Sequence, residues 1–287
     1  MDQRVLAEQF ETLRPHLHAV AYRMLGSVSD AQDAIQECWL RLNGSDSDAV
    51  DDLRGWLTVV VSRICLDTLR RRRTRRENMV GAWLPELLVT EDVGPEDNAV
   101  LDDSVGLALL VVLETLSPAE RIAFVLHDVF AVSFDEIAGI LDRSPVAVRQ
   151  LASRARRRVR QDAPPPVDPA TQRRLVLAFL AASRAGDFTA LVSILHPEVV
   201  FRADVGADQP APAPLSGADA VARRVLATAP RFARLVRPVL VNGTLGALAG
   251  TLDKPVAVIG FTVLDDRIQA IDIIADPKKL RGLRVNG

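Results

Sequence analysis

The chain has 287 residues, 35 basic and 37 acidic side chains, and a hydrophobic content of 48%. This composition is typical of folded domains and excludes a disordered chain, and the length is sufficient for two or three of them. The longest apolar runs, Val105–Leu113 and Pro255–Leu264, are far shorter than the ~18 residues of a membrane helix. No signal peptide is visible, and the two cysteines lack the spacing of a metal site. We therefore expect a reduced cytoplasmic protein without a membrane segment, bound metal or cofactor.

Residues 1–76 predict an all-helical domain. Gly26 fits the end of one helix, and Ser29 with Gln32 predicts the cap of the next. The polar face of that next helix carries Asp33, Gln36, Glu37 and Arg41. This face either docks on the helices of a partner or is ordinary helix exterior.

A third helix of this domain ends in a strongly basic run. Six of the seven residues 70–76 are arginines, which repel one another unless phosphates or acidic side chains neutralise them. Trp39 and Trp56 are on adjacent helices and could stack on single-stranded DNA. Both lie on apolar stripes, however, which favours a place in the core.

Residues 77–104 contain eight acidic and no basic side chains, together with Pro85 and a Gly94-Pro95 pair. The segment predicts an acidic linker that includes the sequence WLPELL, residues 83–88. Such a linker is either a solvated spacer or a shield for nearby arginines until DNA competes for them.

Residues 105–162 predict four helices that end in a helix-turn-helix. Ser117 and Ser133 each precede a glutamate by three residues, as in a capping box, and Ser144-Pro145 opens the last helix. The outer face of the last helix carries Arg149, Gln150, Ser153, Arg154, Arg156 and Arg157. Such donors suit base edges and phosphates in a major groove, and the alternative is a helical hairpin with a solvated basic edge.

These segments together resemble a bacterial sigma factor of the extracytoplasmic-function group. DAQDAIQECWLRL (residues 30–42) resembles the helix that docks on polymerase, and LRGWLTVVVSRICLDTLRRRR (residues 53–73) the helix for the minus-ten element. Residues 116–159 resemble the reader of the minus-thirty-five element. Ser62 departs from the asparagine that many members carry, which affects the detailed minus-ten contact.

The resemblance implies a non-enzymatic transcription initiation factor with core RNA polymerase and promoter DNA as its partners. Asp33, Gln36, Glu37 and Arg41 would then bind polymerase. Asp67, Arg70 and Arg71 would approach the melting strand, and the basic face of the helix-turn-helix would read or position the upstream element.

The last part of the chain predicts a separate α+β domain. Residues 163–170 form a proline-rich linker, and helices followed by an antiparallel meander are expected over residues 171–287. The expected strands are Val199–Ala203, Val236–Val241, Leu245–Leu252, Val256–Leu264 and Ile268–Ile274, with a helix over Ala218–Thr228. This pattern resembles the SnoaL-like cone, of the ketosteroid-isomerase type, that one sigma subgroup carries. The fold class is thus multidomain: two all-α sigma domains and an α+β cone.

Two short motifs resemble marks of that subgroup. The linker segment Trp83, Leu84, Pro85 and Glu86 resembles its Trp-Leu-Pro-Glu-Pro motif. The terminal segment Asp276, Pro277, Lys278, Lys279 and Leu280 resembles its Asn-Pro-Asp-Lys-Leu motif, and Asp204 begins a degraded aspartate-glycine segment. The resemblance implies that the cone regulates the sigma domains through these residues, so that a separate anti-sigma protein is not required. The alternative is a local hydrophobic cluster that only orders the linker.

Catalysis by the cone has little support in the sequence. Residues 163–287 contain no tyrosine, tryptophan or cysteine, and His196, Asp204 and Asp272 are the candidate acid–base residues. The alternative function is a cone that senses or transforms a small molecule in an apolar pocket.

Overall fold

The computed structural model describes residues 3–44, 52–76, 84–90, 106–162, 167–206, 209, 212–232, 235–281 and 283. The chain divides into two compact units, one of Met1–Asn78 with Val112–Asp162 and one of Met79–Val111 with Ala163–Gly287. Trp83 and most of the acidic linker lie outside the described residues. None of the helices in the described ranges is long and apolar enough to span a membrane.

The first unit is helical throughout its described part. Its helices are α1 (Gln3–Leu25), α2 (Val28–Asn43), α3 (Leu53–Arg76), the end of α4 (Leu107–Thr115), α5 (Pro118–Phe124), α6 (Phe134–Leu141) and α7 (Pro145–Asp162). Each of α1, α2 and α3 packs against the other two, and α5 and α6 pack on α7.

The helix starts follow the capping signals with one exception. Ser117 and Ser133 both form complete capping boxes, with Glu120 and Glu136, as predicted. The prediction that Ser29 caps α2 is wrong. Ser27 is the cap, and its hydroxyl accepts a hydrogen bond from the Asp30 amide at 3.1 Å. Gly26 ends α1 with a φ of 62°, so the chain turns at once and α2 begins two residues earlier than expected.

A single π-helical turn, Val125–Val129, follows α5. The amide of Phe130 bonds to the carbonyl of Val125, five residues back, so the turn holds one extra residue. The apolar spacing of the sequence did not predict this turn, which places Phe130 at its end.

The second unit combines a curved sheet with helices. The helices are α8 (Pro169–Ala185), α9 (Phe188–Ile194), α10 (Ala218–Phe232) and α11 (Pro277–Arg281), and the strands are β1 (Val89–Thr90), β2 (Leu195–Asp204), β3 (Leu215–Ser216), β4 (Val236–Val241), β5 (Thr244–Gly250), β6 (Pro255–Leu264) and β7 (Arg267–Ile274). The strand order is β1-β4-β5-β6-β7-β2-β3, with β2 parallel to β7 and the other pairs antiparallel. The predicted meander is confirmed as β4–β7, and this unit has the expected α+β architecture.

Tight turns set the register of the meander. Asn242 and Gly243 have φ values of 49° and 78°, and Asp265 and Asp266 have values of 47° and 59°. Two consecutive residues of positive φ are the signature of the hairpin turn whose twist matches that of the flanking strands.

The sheet buries both of its faces. One face packs on α8, α9 and α10 around Phe179, Phe201 and Phe261. The other face is covered by linker residues Leu84, Leu87 and Val89, by Leu107 of α4 and by Leu280 of α11. The linker thus supplies a strand, β1, which pairs with β4 at the edge of the sheet, and the sequence did not predict this.

Candidate nucleic-acid interface and linker contact

The exposed face of α7 carries the predicted DNA-binding side chains. Its inner face, with Val148, Leu151, Ala152 and Ala155, is buried, and the hydroxyl of Ser144 caps the helix by accepting the Ala147 amide. Arg149, Gln150, Ser153, Arg154 and Arg157 are exposed, whereas Arg156 is half-buried. The helix therefore presents a polar and basic surface next to the turn.

Two of these arginines are engaged within the unit. Arg154 pairs with Glu120 at 3.1 Å, and Arg156 pairs with Asp128. Burial raises the pKa of Glu120, but hydrogen bonds from Ser117 and the pairing with Arg154 outweigh it, so the net pKa is lowered. Arg154 thus ties α7 to α5, and Arg156 ties α7 to the π-helical turn that follows α5.

The arginines at the basic end of α3 also differ: one is engaged within the unit and others are exposed. Arg72 donates to the Leu25 carbonyl at 2.6 Å and pairs with Asp30, which ties α3 to the start of α2. Asp67, Arg70 and Arg71 are exposed, and Asp67 lies 3.5 Å from Arg70. Ser62 is buried and donates to the Thr58 carbonyl, so it faces the helix core and not the solvent.

The predicted docking face of α2 is exposed. Asp33, Gln36, Glu37 and Arg41 all reach solvent, and Glu37 pairs with Arg41 at 2.9 Å. Leu40 lies on the same face, three residues from Glu37, and is 59% exposed. Leu40 was not predicted from the sequence as part of this face. A leucine opposite the apolar stripe of an amphipathic helix is the signal that could have identified it.

The two helical parts of this unit contact each other directly. Arg63 of α3 donates to the Gly139 carbonyl of α6 at 3.0 Å, and buried Arg121 of α5 donates to the Met24 carbonyl of α1 at 2.9 Å. The ring of Phe130 meets His16 edge-on, with the guanidinium of Arg23 5.0 Å from its centre. Helices α1–α3 and the helix-turn-helix therefore belong to one closed unit.

His16 is the titratable group of that contact. Its Nδ1 lies 3.4 Å from the Arg54 guanidinium, which can only donate, and its Nε2 lies 3.3 Å from the Thr58 hydroxyl. Burial, followed by the positive charge of Arg54, lowers the pKa of His16 below its usual range. The contact thus favours the neutral imidazole.

A buried ion pair in the second unit holds the linker. Lys279 and Asp204 are 8% and 7% exposed, and their Nζ and Oδ2 atoms are 2.6 Å apart. Lys279 also donates to the Leu84 carbonyl, and Asp204 accepts the Leu84 amide at 3.0 Å. Both backbone groups of Leu84 are thus bound by the pair, and burial lowers the pKa of Lys279 despite the attraction of Asp204. We call this arrangement the linker clamp: Leu84, Asp204 and Lys279.

The surrounding motif residues support the linker clamp. Asp276 precedes α11, and its Oδ1 accepts the Lys278 amide at 2.8 Å. Gly206, with a φ of 83°, lies so close that a Cβ there would meet Asp276 Oδ1 at 2.8 Å. Of the two lysines in the predicted segment, Lys279 reaches the linker, because the single turn of α11 directs position 279 into the core while Lys278 and Pro277 are exposed.

Other predicted linker residues follow Leu84. Pro85 is buried and Glu86 is half-buried, whereas Trp83 lies outside the described residues. Asn242, in the turn between β4 and β5, accepts the Leu88 amide at 2.9 Å through its side chain. Its own amide donates to the Leu88 carbonyl at 2.8 Å.

The three candidate catalytic residues have separate partners. Asp204 belongs to the linker clamp, and Asp272, 0% exposed, receives two hydrogen bonds from Arg202 at 2.6 and 3.0 Å. His196 lies in β2 and accepts the Glu198 amide, two residues on. Burial raises the pKa of Asp272 even beside Arg202. These contacts account for each group structurally and do not assemble an acid–base site.

Comparisons with known proteins agree with this organisation. Residues 9–75 match the family model for sigma-70 region 2, and residues 106–159 match that for sigma-70, region 4. The chain is 42% identical to the ECF RNA polymerase sigma factor SigJ of Mycobacterium tuberculosis, over 96% of this chain and 93% of SigJ. It is 36% identical to the probable ECF RNA polymerase sigma factor SigI of the same species, over 94% and 93% of the two chains.

The solved structures include the crystal structure of Mycobacterium tuberculosis SigJ. It superposes with a TM-score of 0.77 at 41% identity and covers 98% of this chain and 100% of that one. The similarity extends through the cone and is not confined to the helical domains. The chain belongs to the extracytoplasmic function (ECF) sigma factors of RNA polymerase.

Proposed function

We propose that this sigma factor directs core RNA polymerase to its promoters and that its cone regulates that activity through the linker clamp. The exposed faces of α2, α3 and α7 would bind polymerase, the minus-ten element and the minus-thirty-five element, respectively. The observation that carries the regulatory part is the buried Lys279–Asp204 pair, which binds both backbone groups of Leu84.

The linker clamp is specific for a backbone segment. A buried ion pair is costly to desolvate and is tolerated when further hydrogen bonds satisfy its remaining donors and acceptors. Leu84 supplies one such donor and one such acceptor, so release of the linker would leave two poorly satisfied charges. The linker adds the apolar burial of Leu84, Leu87 and Val89, each about 1.5–3 kcal/mol at full burial.

The clamped segment lies at a point in the chain where holding it can regulate the separation of the two DNA-binding domains. Residues 84–90 lie between the end of α3, which carries the minus-ten residues, and the start of α4, which leads to the helix-turn-helix. An extended chain spans at most about 3.3–3.6 Å per residue. A segment bound to the cone no longer contributes to this reach, so the linker clamp restricts how far the two DNA-binding domains can separate.

The experiment is in vitro transcription with purified core polymerase and sigma variants at matched polymerase occupancy. Asp204→Leu with Lys279→Met replaces the ion pair by apolar side chains, which keeps the site packed while removing both contacts to Leu84. We expect increased promoter output and faster proteolysis of the linker. Asp266→Asn, which breaks the exposed Arg174–Asp266 pair of the same unit, is the matched control and should change neither.

The result also tests whether the cone acts alone. Equal output and equal linker cleavage in the double variant and the parent, both with normal thermal unfolding, would contradict the proposal. Because the assay contains no other regulator, an effect in it means that no separate anti-sigma protein is required. In this proposal the cone is a regulatory domain, not an enzyme, and the protein works in the cytoplasm where polymerase and promoter are.

A further inference from the structure

The cone contains a cavity on the face of the sheet opposite the linker. It has a volume of about 310 Å³ and lies between α8, α10 and the concave face of strands β2 and β4–β7. Its walls include Phe179, Phe201, Phe232, Ile259 and Ile271. A concave, mostly apolar space of this size is typical of a small-molecule site.

The polar groups of the cavity wall are nearly all satisfied by the protein. The hydroxyl of Ser183 donates to the Phe179 carbonyl at 2.7 Å, and that of Thr228 lies 3.0 Å from the Arg224 carbonyl. Because both hydroxyls are bonded to backbone carbonyls, neither is a strong hydrogen-bond donor for a ligand. The remaining polar side chains of the wall are those of Arg184 on α8 and Arg224 on α10, both exposed at its rim.

The two arginines have donors to spare. Arg184 donates through one nitrogen to the Val236 carbonyl at 2.8 Å, and a guanidinium carries five N–H groups. Within the described residues, the Arg224 side chain makes no hydrogen bond or ion pair. Its neighbour Arg223, by contrast, lies 3.6 Å from Asp219.

The acidic groups of the adjoining strands point elsewhere. Ile271 and Ile273 of β7 line the cavity, so Asp272 between them faces the opposite side, where Arg202 holds it. Ala203 and Val205 line the cavity, whereas Asp204 belongs to the linker clamp. The described lining residues contain two arginines and no aspartate, glutamate or histidine. The site thus combines an apolar body with a positively charged rim.

We propose that this cavity binds a medium-chain carboxylate, with the alkyl chain among the aromatic and aliphatic walls and the carboxylate between Arg184 and Arg224. At about 30 Å³ per atom, the share of a water molecule in the liquid, the cavity has room for about ten non-hydrogen atoms. Octanoate has that size. A carboxylate is also the anion whose geometry matches the guanidinium fork.

Isothermal titration calorimetry of the full-length protein with octanoate tests the proposal. We expect one site, with binding weakened at least roughly tenfold for octan-1-ol, which lacks the charge, and no binding of octylammonium. Arg224→Gln should weaken octanoate binding by roughly tenfold and leave that of octan-1-ol unchanged. Arg223→Gln is the matched control on the same helix and should bind octanoate like the parent.

A second pair of variants locates the site. Ala229→Phe fills the cavity from α10 and should abolish octanoate binding, whereas Ala227→Phe, on the exposed side of that helix, should not. Absence of octanoate binding to the folded parent protein overturns the proposal. Equal affinity for octanoate and octan-1-ol overturns the anion specificity, and full binding by folded Ala229→Phe overturns the location. The titration requires neither polymerase nor DNA, so its outcome is independent of the linker clamp.

Discussion

Arginines of α7 make two different kinds of contact that their sequence pattern does not separate. Arg154 and Arg156 pair with acidic residues of the same domain, and Arg158 donates to the Thr115 carbonyl at 3.1 Å. Arg149 instead lies over the ring of Phe134, 5.5 Å from its centre, near the start of α7. The amino-terminal part of a recognition helix is the part that contacts base edges. Arg149 is therefore the better probe of DNA recognition.

We predict that Arg149→Ala weakens binding of a minus-thirty-five duplex by about 1–3 kcal/mol and lowers the salt slope by roughly one unit. Arg149 is exposed and forms no ion pair within the described residues. Its positive charge would therefore be available to DNA. Fluorescence anisotropy at several salt concentrations measures both quantities.

Arg158→Ala is the control for Arg149→Ala, since its guanidinium binds a carbonyl of the protein. It should affect the stability of the domain more than its DNA affinity. Unchanged affinity and salt slope in a folded Arg149→Ala protein would exclude this part of α7 from promoter recognition.

At the scale of whole elements, α2 separates a buried stripe from an exposed polar face, the predicted docking surface. Its buried stripe includes Ala31, Ile35, Cys38 and Leu42, and burial raises the pKa of the Cys38 thiol to about 12. Leu40 is exposed on the acidic side. An apolar side chain surrounded by charges is a common arrangement at the centre of an interface with a polar rim.

We predict that Asp33→Arg with Glu37→Arg abolishes association with core polymerase and leaves the thermal unfolding of the protein nearly unchanged. The exposed sites tolerate the new side chains, whereas a complementary basic surface on the partner would repel them. Co-purification with core polymerase provides the measurement. Reversal of exposed Glu11 on α1 is the control, and normal polymerase binding by the double variant would identify this face as ordinary helix exterior.

The sequence predicted those elements whose signals are local. Capping boxes located α5 and α6, and the strand-like runs located the meander β4–β7. The pairing of β1 with β4 and of β2 with β7 was not predicted, because each joins segments far apart in the chain. The terminal segment was predicted to regulate, but the partners of Lys279 within it were not identified, for the same reason. These partners, Leu84 and Asp204, are 195 and 75 residues away, and no periodicity records that separation.

At the scale of the whole molecule, the closed helical unit would have to open for α3 and α7 to engage both promoter elements at once, as proposed. Arg63 of α3 and Gly139 of α6, in the helix-turn-helix, are joined by a hydrogen bond. Elements about 25 base pairs apart are separated by roughly 85 Å along B-DNA, at 3.4 Å per base pair. On the proposed assignment the two helical parts would separate on the promoter, and the contacts between them would oppose that step.

The position of His16 at the Phe130 contact leads us to expect that this closure is sensitive to acid. Neutral His16 accepts from Arg54 and packs edge-on against Phe130, and the pKa of His16 in the folded unit lies below its unfolded value of about 6.5. Between these two pKa values the unfolded or opened chain binds more protons than the closed one. The stability of the closed unit therefore falls as the pH falls through about 6.5 toward the folded pKa.

We predict that acidification from about pH 7.5 to about pH 5.5 lowers the urea midpoint of the helical unit and increases the distance between dyes on α2 and α7. His16→Gln keeps a polar side chain but cannot titrate, so part of both changes should disappear. His18→Gln is the matched control two residues away, since His18 stacks on Tyr22, and it should retain the parent response. If the His16→Gln protein responded to acid as strongly as the parent, the acid sensitivity would belong to other groups and the Phe130 contact would not be the point at which the two helical parts separate.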